Sequence, residues 1–117
     1  MASDAEFVAY VLEQLEQVGF VTARKLFGEY GLYNSGKIFG SICDNKLFIK
    51  PTEAGRAFLG EDLVEAPPYP GAKPNFLIEE GLAHRAWLCE LVQRTVAELP
   101  APKKKEKKNQ PPKKDVT

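Results

Sequence analysis

The side chains that could act as a general base or a nucleophile are few in this chain and form no known catalytic pattern. His84 is the only histidine, and it lies close in sequence to Glu79 and Glu80. A general base needs a nucleophile or a pocket to serve, and neither a Gly-x-Ser-x-Gly nor a His-Glu-x-x-His motif surrounds His84. The sequence therefore predicts a surface histidine, no catalytic residues and a protein that is not an enzyme.

Residue types that could hold a metal or a phosphate are present but have the wrong spacing. Glu61, Asp62 and Glu65 lie close together, yet they do not follow the order of a calcium-binding loop. The glycines of the segment 28–31 lack the spacing of a phosphate-binding loop and precede a predicted hairpin rather than a helix. We therefore predict no metal and no cofactor.

Two features favour a cytoplasmic location. The cysteines, Cys43 and Cys89, lie far apart without a Cys-x-x-Cys motif, which favours buried thiols over a disulfide or a metal site. Asp4 and Glu6 stand where a signal peptide would carry basic residues, and no apolar run is long enough to span a bilayer. We expect a cytoplasmic protein with no membrane contact.

The net charge of zero conceals a separation of opposite charges along the chain. From Pro100 onward seven lysines face two acids, a local charge of +5, whereas the remainder has 9 basic and 14 acidic residues, or −5. The lysines of this segment are Lys103, Lys104, Lys105, Lys107, Lys108, Lys113 and Lys114. The composition predicts one domain over residues 1–100 and a disordered lysine-rich tail over residues 101–117.

The tail has two interpretations. Its lysines could contact the phosphates of DNA or RNA without reading a sequence, and such binding would be strongly salt-dependent. No aromatic residue is interleaved, so base stacking is not offered. Alternatively, the tail only increases solubility, and both interpretations stay open at this point.

The first predicted element is an amphipathic helix. Ser3 and Glu6 have the spacing of a capping box, and Gly19 is placed to end the helix. Its apolar stripe consists of Phe7, Val8, Val11, Leu12, Leu15 and Val18. Such a helix could bind a partner, but the pattern favours a core element.

The central stretch, residues 24–50, predicts three short antiparallel strands after a connection over residues 20–23. The strands cover residues 27–33, 37–43 and 46–50. The turns are Asn34-Ser35-Gly36, with a positive φ expected at the glycine, and Asp44-Asn45, which suits a two-residue hairpin. Gly28 and Gly31 would mark a bulge or a close approach of an aromatic ring or another backbone.

The second half predicts a helix capped by Thr52 over residues 53–59, an extended segment over 63–66, a strand over 75–79 and a helix over 82–99. The segment 67–74 contains four prolines. It could be a proline-rich ligand, but the pattern favours a rigid loop anchored by Tyr69.

Together these elements predict an α+β fold with a mainly antiparallel sheet, in the order helix, three strands, helix, one or two strands, helix. The helices would cover one face of the sheet. The other face, with aromatics such as Phe39 and Phe48 or the opposite set, would be partly exposed.

At this point the central stretch supports a family resemblance. The run Arg24-Lys-Leu-Phe-Gly-Glu-Tyr-Gly-Leu-Tyr33, followed by Gly36, Phe39, Ile42 and Leu47-Phe-Ile-Lys50, resembles the TfoX N-terminal domain family, as does the segment 68–74. The resemblance implies a two-layer fold in this order with two strands between the second and third helices, in an arrangement similar to that of type III secretion chaperones. Full-length TfoX proteins are bacterial regulators of competence genes that act with other transcription factors. A lysine-rich tail stands here in place of their C-terminal helical domain.

The resemblance brings no catalytic residues, so the candidate site is a surface. Its residues are Arg24, Lys25, Phe27, Tyr30 and Tyr33. The alternative is that the glycines and aromatics pack together and the two basic residues are merely solvated. We predict a non-enzymatic interaction or regulatory module with a protein partner, and a free sheet edge or an exposed aromatic face would also allow a homodimer.

Overall fold

The computed structural model describes residues 3–26 and 28–100, which form three helices and one six-stranded antiparallel sheet. The helices are α1 (Ala5–Gln14), α2 (Glu53–Leu59) and α3 (Arg85–Glu98). The strands are β1 (Val21–Leu26), β2 (Glu29–Asn34), β3 (Lys37–Cys43), β4 (Lys46–Ile49), β5 (Glu65–Ala66) and β6 (Asn75–Ile78). Short 3-10 turns cover Glu16–Val18, Gly60–Asp62 and Glu80–Ala83. The α+β class and the helix–strands–helix–strands–helix order are confirmed.

Within the described residues the strand order is β1-β2-β3-β4-β6-β5, and every neighbouring pair is antiparallel. β1 therefore forms one edge and the two-residue β5 the other. In β3 an extra residue, Phe39, interrupts the register, because Leu32 pairs with Gly40 whereas Tyr33 pairs with Ile38. The sheet thus carries one bulge, close to its centre.

The core lies between the helices and one face of the sheet, which we call the inner face. From α1 and α3 the fully buried Val11, Leu88 and Leu91 pack against fully buried side chains of the strands, among them Leu32 and Ile49. The predicted stripe of α1 is therefore part of the core, as is the buried side of α3, and the two-layer architecture follows from this burial.

The opposite face of the sheet, which we call the outer face, differs from the prediction. The sequence pattern places Phe39 and Phe48, or the opposite set of side chains, on a partly exposed face, yet both phenylalanines are buried. Phe39 belongs to the core cluster because the bulge moves it out of strict alternation. The loop between β5 and β6 reaches the outer face, where Pro68 borders the same groove as Ser41, the cross-strand partner of Phe48.

The connection predicted over residues 20–23 is wrong, because β1 begins at Val21 and pairs with β2 along its whole length. Four strands rather than three therefore precede α2. The strand predicted over residues 27–33 begins at Glu29, and Gly28, with φ of 83°, belongs to the turn before it. A residue with positive φ cannot continue a regular strand.

The predicted hairpin turns and the second helix are confirmed. Ser35 and Gly36 have φ values of 54° and 79°, and Asp44 and Asn45 have 54° and 57°. These left-handed pairs match the right-handed twist of the strands they join. α2 begins as predicted, with the Thr52 hydroxyl accepting a 3.0 Å hydrogen bond from the backbone N–H of Gly55.

Two other local predictions are wrong. Ser3 does not cap α1, because the N-cap is Asp4 and the Ser3 hydroxyl instead accepts a hydrogen bond from the N–H of Asn45 at 3.0 Å. Tyr69 is not a packed anchor, since 60% of it is exposed. The predicted last helix is divided into the 3-10 turn Glu80–Ala83 and α3.

Candidate interaction surface

The predicted surface residues that the structure describes lie on the edge strand β1 and on β2 beside it. Arg24 and Lys25 lie in β1 and are exposed. Tyr30 and Tyr33 lie in β2, where they are half-buried. Phe27 lies outside the described residues. The structure therefore brings the four described residues onto neighbouring strands, but not onto one face.

Arg24 and Tyr33 share the outer face. The Arg24 guanidinium lies 5.7 Å from the centre of the Tyr33 ring, within the range of a cation–π contact. Arg24 pairs across the strands with Gly31. A side chain at Gly31 would meet the Tyr33 ring at 3.2 Å and Ile38 at 3.1 Å, so the missing side chain makes room for this cluster. The predicted close approach of an aromatic ring at Gly31 is confirmed.

Lys25 and Tyr30 are cross-strand partners. They follow the pair formed by Arg24 and Gly31, and because side chains alternate along a strand, they lie on the opposite, inner face. Tyr30 packs against the core cluster there. A ligand that contacted Arg24 and Tyr33 on the outer face would not meet Tyr30 through the same face. Arg24 and Lys25 lie on the edge strand β1, whereas Tyr30 and Tyr33 lie on β2 next to it.

Sequence reasoning missed the main part of this edge, Val21 to Ala23. Val21 and Ala23 pack against the core cluster, whereas Thr22 lies on the outer face with Arg24. The signal was the alternation of Val21 and Ala23 with polar residues, which is typical of a strand with one buried face. Two exposed hydrophobic side chains flank the edge, Phe20 with 82% of its surface exposed and Leu26 with 38%.

A groove of about 1110 Å³ lies beside this edge, between the sheet and the proline-rich loop. Leu26, Ser41 and Cys43 line one side of it, and Pro68 and Tyr69 line the other. Burial raises the pKa of the Cys43 thiol, although a hydrogen bond with Ser41 opposes that effect. A protonated thiol is a poor nucleophile, so its surroundings do not activate Cys43.

Glu29, next to this groove, binds the segment that precedes α1 to the sheet. Its carboxylate accepts hydrogen bonds from the backbone N–H groups of Ser3 and Asp44, both at 2.9 Å. Partial burial alone would raise the pKa of Glu29, but the hydrogen bonds from Asp44 and Ser3 outweigh it and hold the pKa below its ordinary value. The ionised carboxylate therefore joins the start of α1 to the β3–β4 turn.

Replacing Glu29 with glutamine is expected to destabilise the fold by about 1 kcal/mol at pH 7 and to flatten the pH dependence of stability. Since the pKa is lower in the folded state, Glu29 stabilises the fold above the ordinary carboxyl pKa of 4.5, and this stabilisation is lost as the pH falls through the folded-state pKa. Urea unfolding at several pH values measures the effect. Equal slopes for the parent and E29Q below pH 5 would contradict it.

A second groove, of about 730 Å³, lies at the opposite side of the sheet from β1. Its lining includes Glu61, Asp62, Glu79, Glu80, His84 and Trp87. His84 is exposed, as predicted. No group of three His, Cys, Asp or Glu side chains in residues 3–26 and 28–100 is arranged to hold a metal ion.

Both cysteines are free and buried, as predicted. Burial raises the pKa of Cys89, whose thiol donates a hydrogen bond to the Gln14 carbonyl at 3.2 Å. Among the residues with described positions, no helix combines the length and apolar character needed to cross a membrane.

The fold and this surface define a small two-layer α+β domain with an open strand edge. Comparison with known proteins then gives its family. The chain belongs to the TfoX N-terminal domain family, whose model matches residues 13–99. This match includes all six strands and the last helix, so the family resemblance drawn from the central stretch is confirmed.

One curated relative is similar over almost the whole chain. It is described as an uncharacterized 12.7 kDa protein in the trpE 5′ region of Spirochaeta aurantia. The two sequences are 38% identical over 112 residues, which cover 96% of each chain. The relative is therefore of nearly the same length.

Proposed function

We propose that this protein is a non-enzymatic docking module that binds a protein partner through the β1 edge and acts in the regulation of transcription through that contact. The observation that carries the proposal is the β1 edge, which pairs with β2 alone among the described residues and carries exposed basic and apolar side chains. The link to transcription rests on the resemblance to full-length TfoX proteins alone.

The hairpin geometry indicates which backbone groups of β1 are free. Leu26 pairs with Glu29 across a two-residue turn, so its N–H and C=O point toward β2, and those of Thr22 and Arg24 do the same by alternation. The Phe20 carbonyl fits this alternation, since it also points toward β2, where it accepts a 3.0 Å hydrogen bond from the Asn34 side chain.

The N–H and C=O groups of Val21, Ala23 and Lys25 consequently point away from the sheet. Within the described residues, no hydrogen bond outside the strand ladder involves them. Such a row of free groups is the template on which an extended peptide adds a further strand.

The edge is tested by placing a photo-cross-linking amino acid at Arg24 in the native host. We expect cross-links to a protein from this position, but not from Gln93, an exposed position on α3 that serves as the control. Adding Ala23→Pro should reduce the cross-link about tenfold or more, since proline removes an outward N–H and blocks strand addition.

The same change at the next residue provides a matched control for folding. Arg24→Pro removes an N–H that points toward β2 and should therefore destabilise the hairpin, whereas Ala23→Pro should leave the circular dichroism spectrum unchanged. Cross-linking at Arg24 that is no stronger than at Gln93, or that survives Ala23→Pro in a folded protein, would reject the docking edge.

A second candidate function is weak, non-specific binding of DNA or RNA by the lysine-rich tail, which lies outside the described residues. The charge separation favours it, since the tail carries +5 and the remainder −5. We expect deletion of residues 101–117 to abolish retention on a DNA column at low salt, and about 0.2 M salt to weaken retention of the full chain strongly. Unchanged retention after the deletion would reject the tail as the cause.

A further inference from the structure

We infer that the partner at the β1 edge is a second copy of this chain, which pairs antiparallel with the first about a twofold axis at Ala23. This inference rests on the proposed function and deepens it, since it names the partner of the same edge. The two sheets would join into one, with both helical layers on the same side.

The free backbone groups restrict the register. In a twofold-symmetric antiparallel pair, facing residues must lie on the same face of the sheet, so the axis passes through one residue rather than between two. With the axis at Ala23, Val21 faces Lys25 of the second copy, and Ala23 faces its own counterpart. All three residues have outward N–H and C=O groups, so the pairing forms roughly six backbone hydrogen bonds.

Charge and the extent of the paired segment favour an axis at Ala23 over an axis at either neighbouring residue. An axis at Arg24 would place the two Arg24 side chains directly opposite each other, which is unfavourable for like charges. An axis at Thr22 would leave Leu26 beyond the paired segment. With the axis at Ala23, Arg24 faces Thr22 of the second copy, and no two basic side chains are directly opposed.

The exposed hydrophobic side chains support the same register. Phe20 precedes the strand with 82% of its surface exposed, and Leu26 ends it with 38% exposed. With the axis at Ala23, Phe20 of each copy lies opposite Leu26 of the other. This register therefore places one Phe20–Leu26 contact at each end of the interface. It forms the hydrogen bonds and also covers the exposed apolar side chains of both copies.

The small size of this interface predicts a reversible dimer. It involves residues 20–26 of each chain, fewer than the 20–30 residues a side, roughly, of a stable standard-size interface. We expect sedimentation equilibrium of the full chain to give an average mass that rises with concentration from one chain mass toward two. Association that strengthens with salt would fit as well, because β1 carries two basic residues on each copy.

Two substitutions separate this edge from any other contact. Ala23→Pro should weaken association at least tenfold, since it removes hydrogen bonds at the axis. Phe20→Ser, at a side chain with little contact to the fold, should weaken it severalfold without changing the unfolding midpoint. If Ala23→Pro fails to fold, Phe20→Ser still tests the interface.

Cysteine cross-linking tests the register. In a hydrogen-bonded antiparallel pair the facing Cα atoms lie about 5.5 Å apart, within the range of a disulfide. Ala23→Cys should therefore form a covalent dimer on mild oxidation. Lys25→Cys is the control on the same face, because its own counterpart would lie four residues away, about 13 Å along the strand.

A monomer at all concentrations, a dimer indifferent to both Ala23→Pro and Phe20→Ser, or faster cross-linking of Lys25→Cys than of Ala23→Cys would each overturn the inference. If the purified protein stays monomeric while Arg24 cross-links to a different protein in cells, only the second copy is rejected and the docking edge stands. Absence of any contact at Arg24 in cells, together with a monomer, rejects both.

Discussion

Replacing Phe76 with alanine is expected to lower the free energy of unfolding by about 3–5 kcal/mol. Phe76 is fully buried, pairs with Ile49 on one side and Glu65 on the other, and so connects β6 to both neighbouring strands. The Arg56 guanidinium of α2 lies 5.5 Å from its ring centre. Removing the ring would leave a cavity between α2 and the sheet, and urea unfolding monitored by circular dichroism measures the loss.

Phe20 provides the matched control, because it is the same residue type with most of its surface exposed. Phe20→Ala should change the free energy of unfolding by no more than about 0.5 kcal/mol. The total stability of a domain of this size is only about 5–15 kcal/mol, so Phe76→Ala should also lower the unfolding temperature markedly. Equal effects of the two substitutions would contradict the burial of Phe76.

Replacing Gly40 with alanine is expected to destabilise the protein by about 2–4 kcal/mol. A Cβ atom at this position would overlap the backbone carbonyl oxygen of Phe48 and would lie 3.2 Å from the Ile49 side chain. That oxygen belongs to β4, which pairs with β3, so it cannot move away without disturbing the ladder. The cost therefore comes from separating two central strands.

Ser41, the next residue of the same strand, is the control, since it already carries a side chain and is half-buried. Ser41→Ala should change stability by less than about 1 kcal/mol. Hydrogen exchange of the β3 and β4 amides locates the effect, because Gly40→Ala should speed exchange there first. A folded, unperturbed Gly40→Ala protein would show that β3 and β4 do not approach as described.

Short-range chemistry predicted much of the structure. The left-handed backbone at Asp44-Asn45 and at Ser35-Gly36 follows from the residue types, and so does the Thr52 cap of α2. The apolar stripes of α1 and α3 follow from their period. These features depend on residues within about four positions of one another, so a sequence pattern can record them.

The wrong predictions concern segments whose hydrogen bonds and burial depend on residues far away in the sequence. Ser3 has a good capping sequence, yet its hydroxyl and N–H bind Asn45 and Glu29, respectively, in other elements. Glu98 similarly accepts hydrogen bonds from the N–H groups of Glu53 and Ala54, and these lower its pKa. No local pattern indicates such partners, because they are 26 to 45 residues apart.

For the candidate surface, too, the sequence indicated the residues but not their arrangement. The sequence indicated Arg24, Lys25, Tyr30 and Tyr33 as a group, but alternation along two paired strands places Arg24 and Tyr33 on one face and Lys25 and Tyr30 on the other. The pairing of β1 with β2 also created the edge itself. Its first half, Val21 to Ala23, falls in the segment that the sequence pattern predicts as a connection.

The amino-acid sequence by itself determined the family, the α+β class, the turns and the helical stripes, because each depends on residue type and near-neighbour spacing. Only the tertiary structure decided that Val21–Leu26 is an edge strand, that Phe39 and Phe48 are buried and that Tyr69 is exposed. The physical reason is that strand pairing and burial depend on which distant segment supplies the hydrogen bonds and covers the side chain.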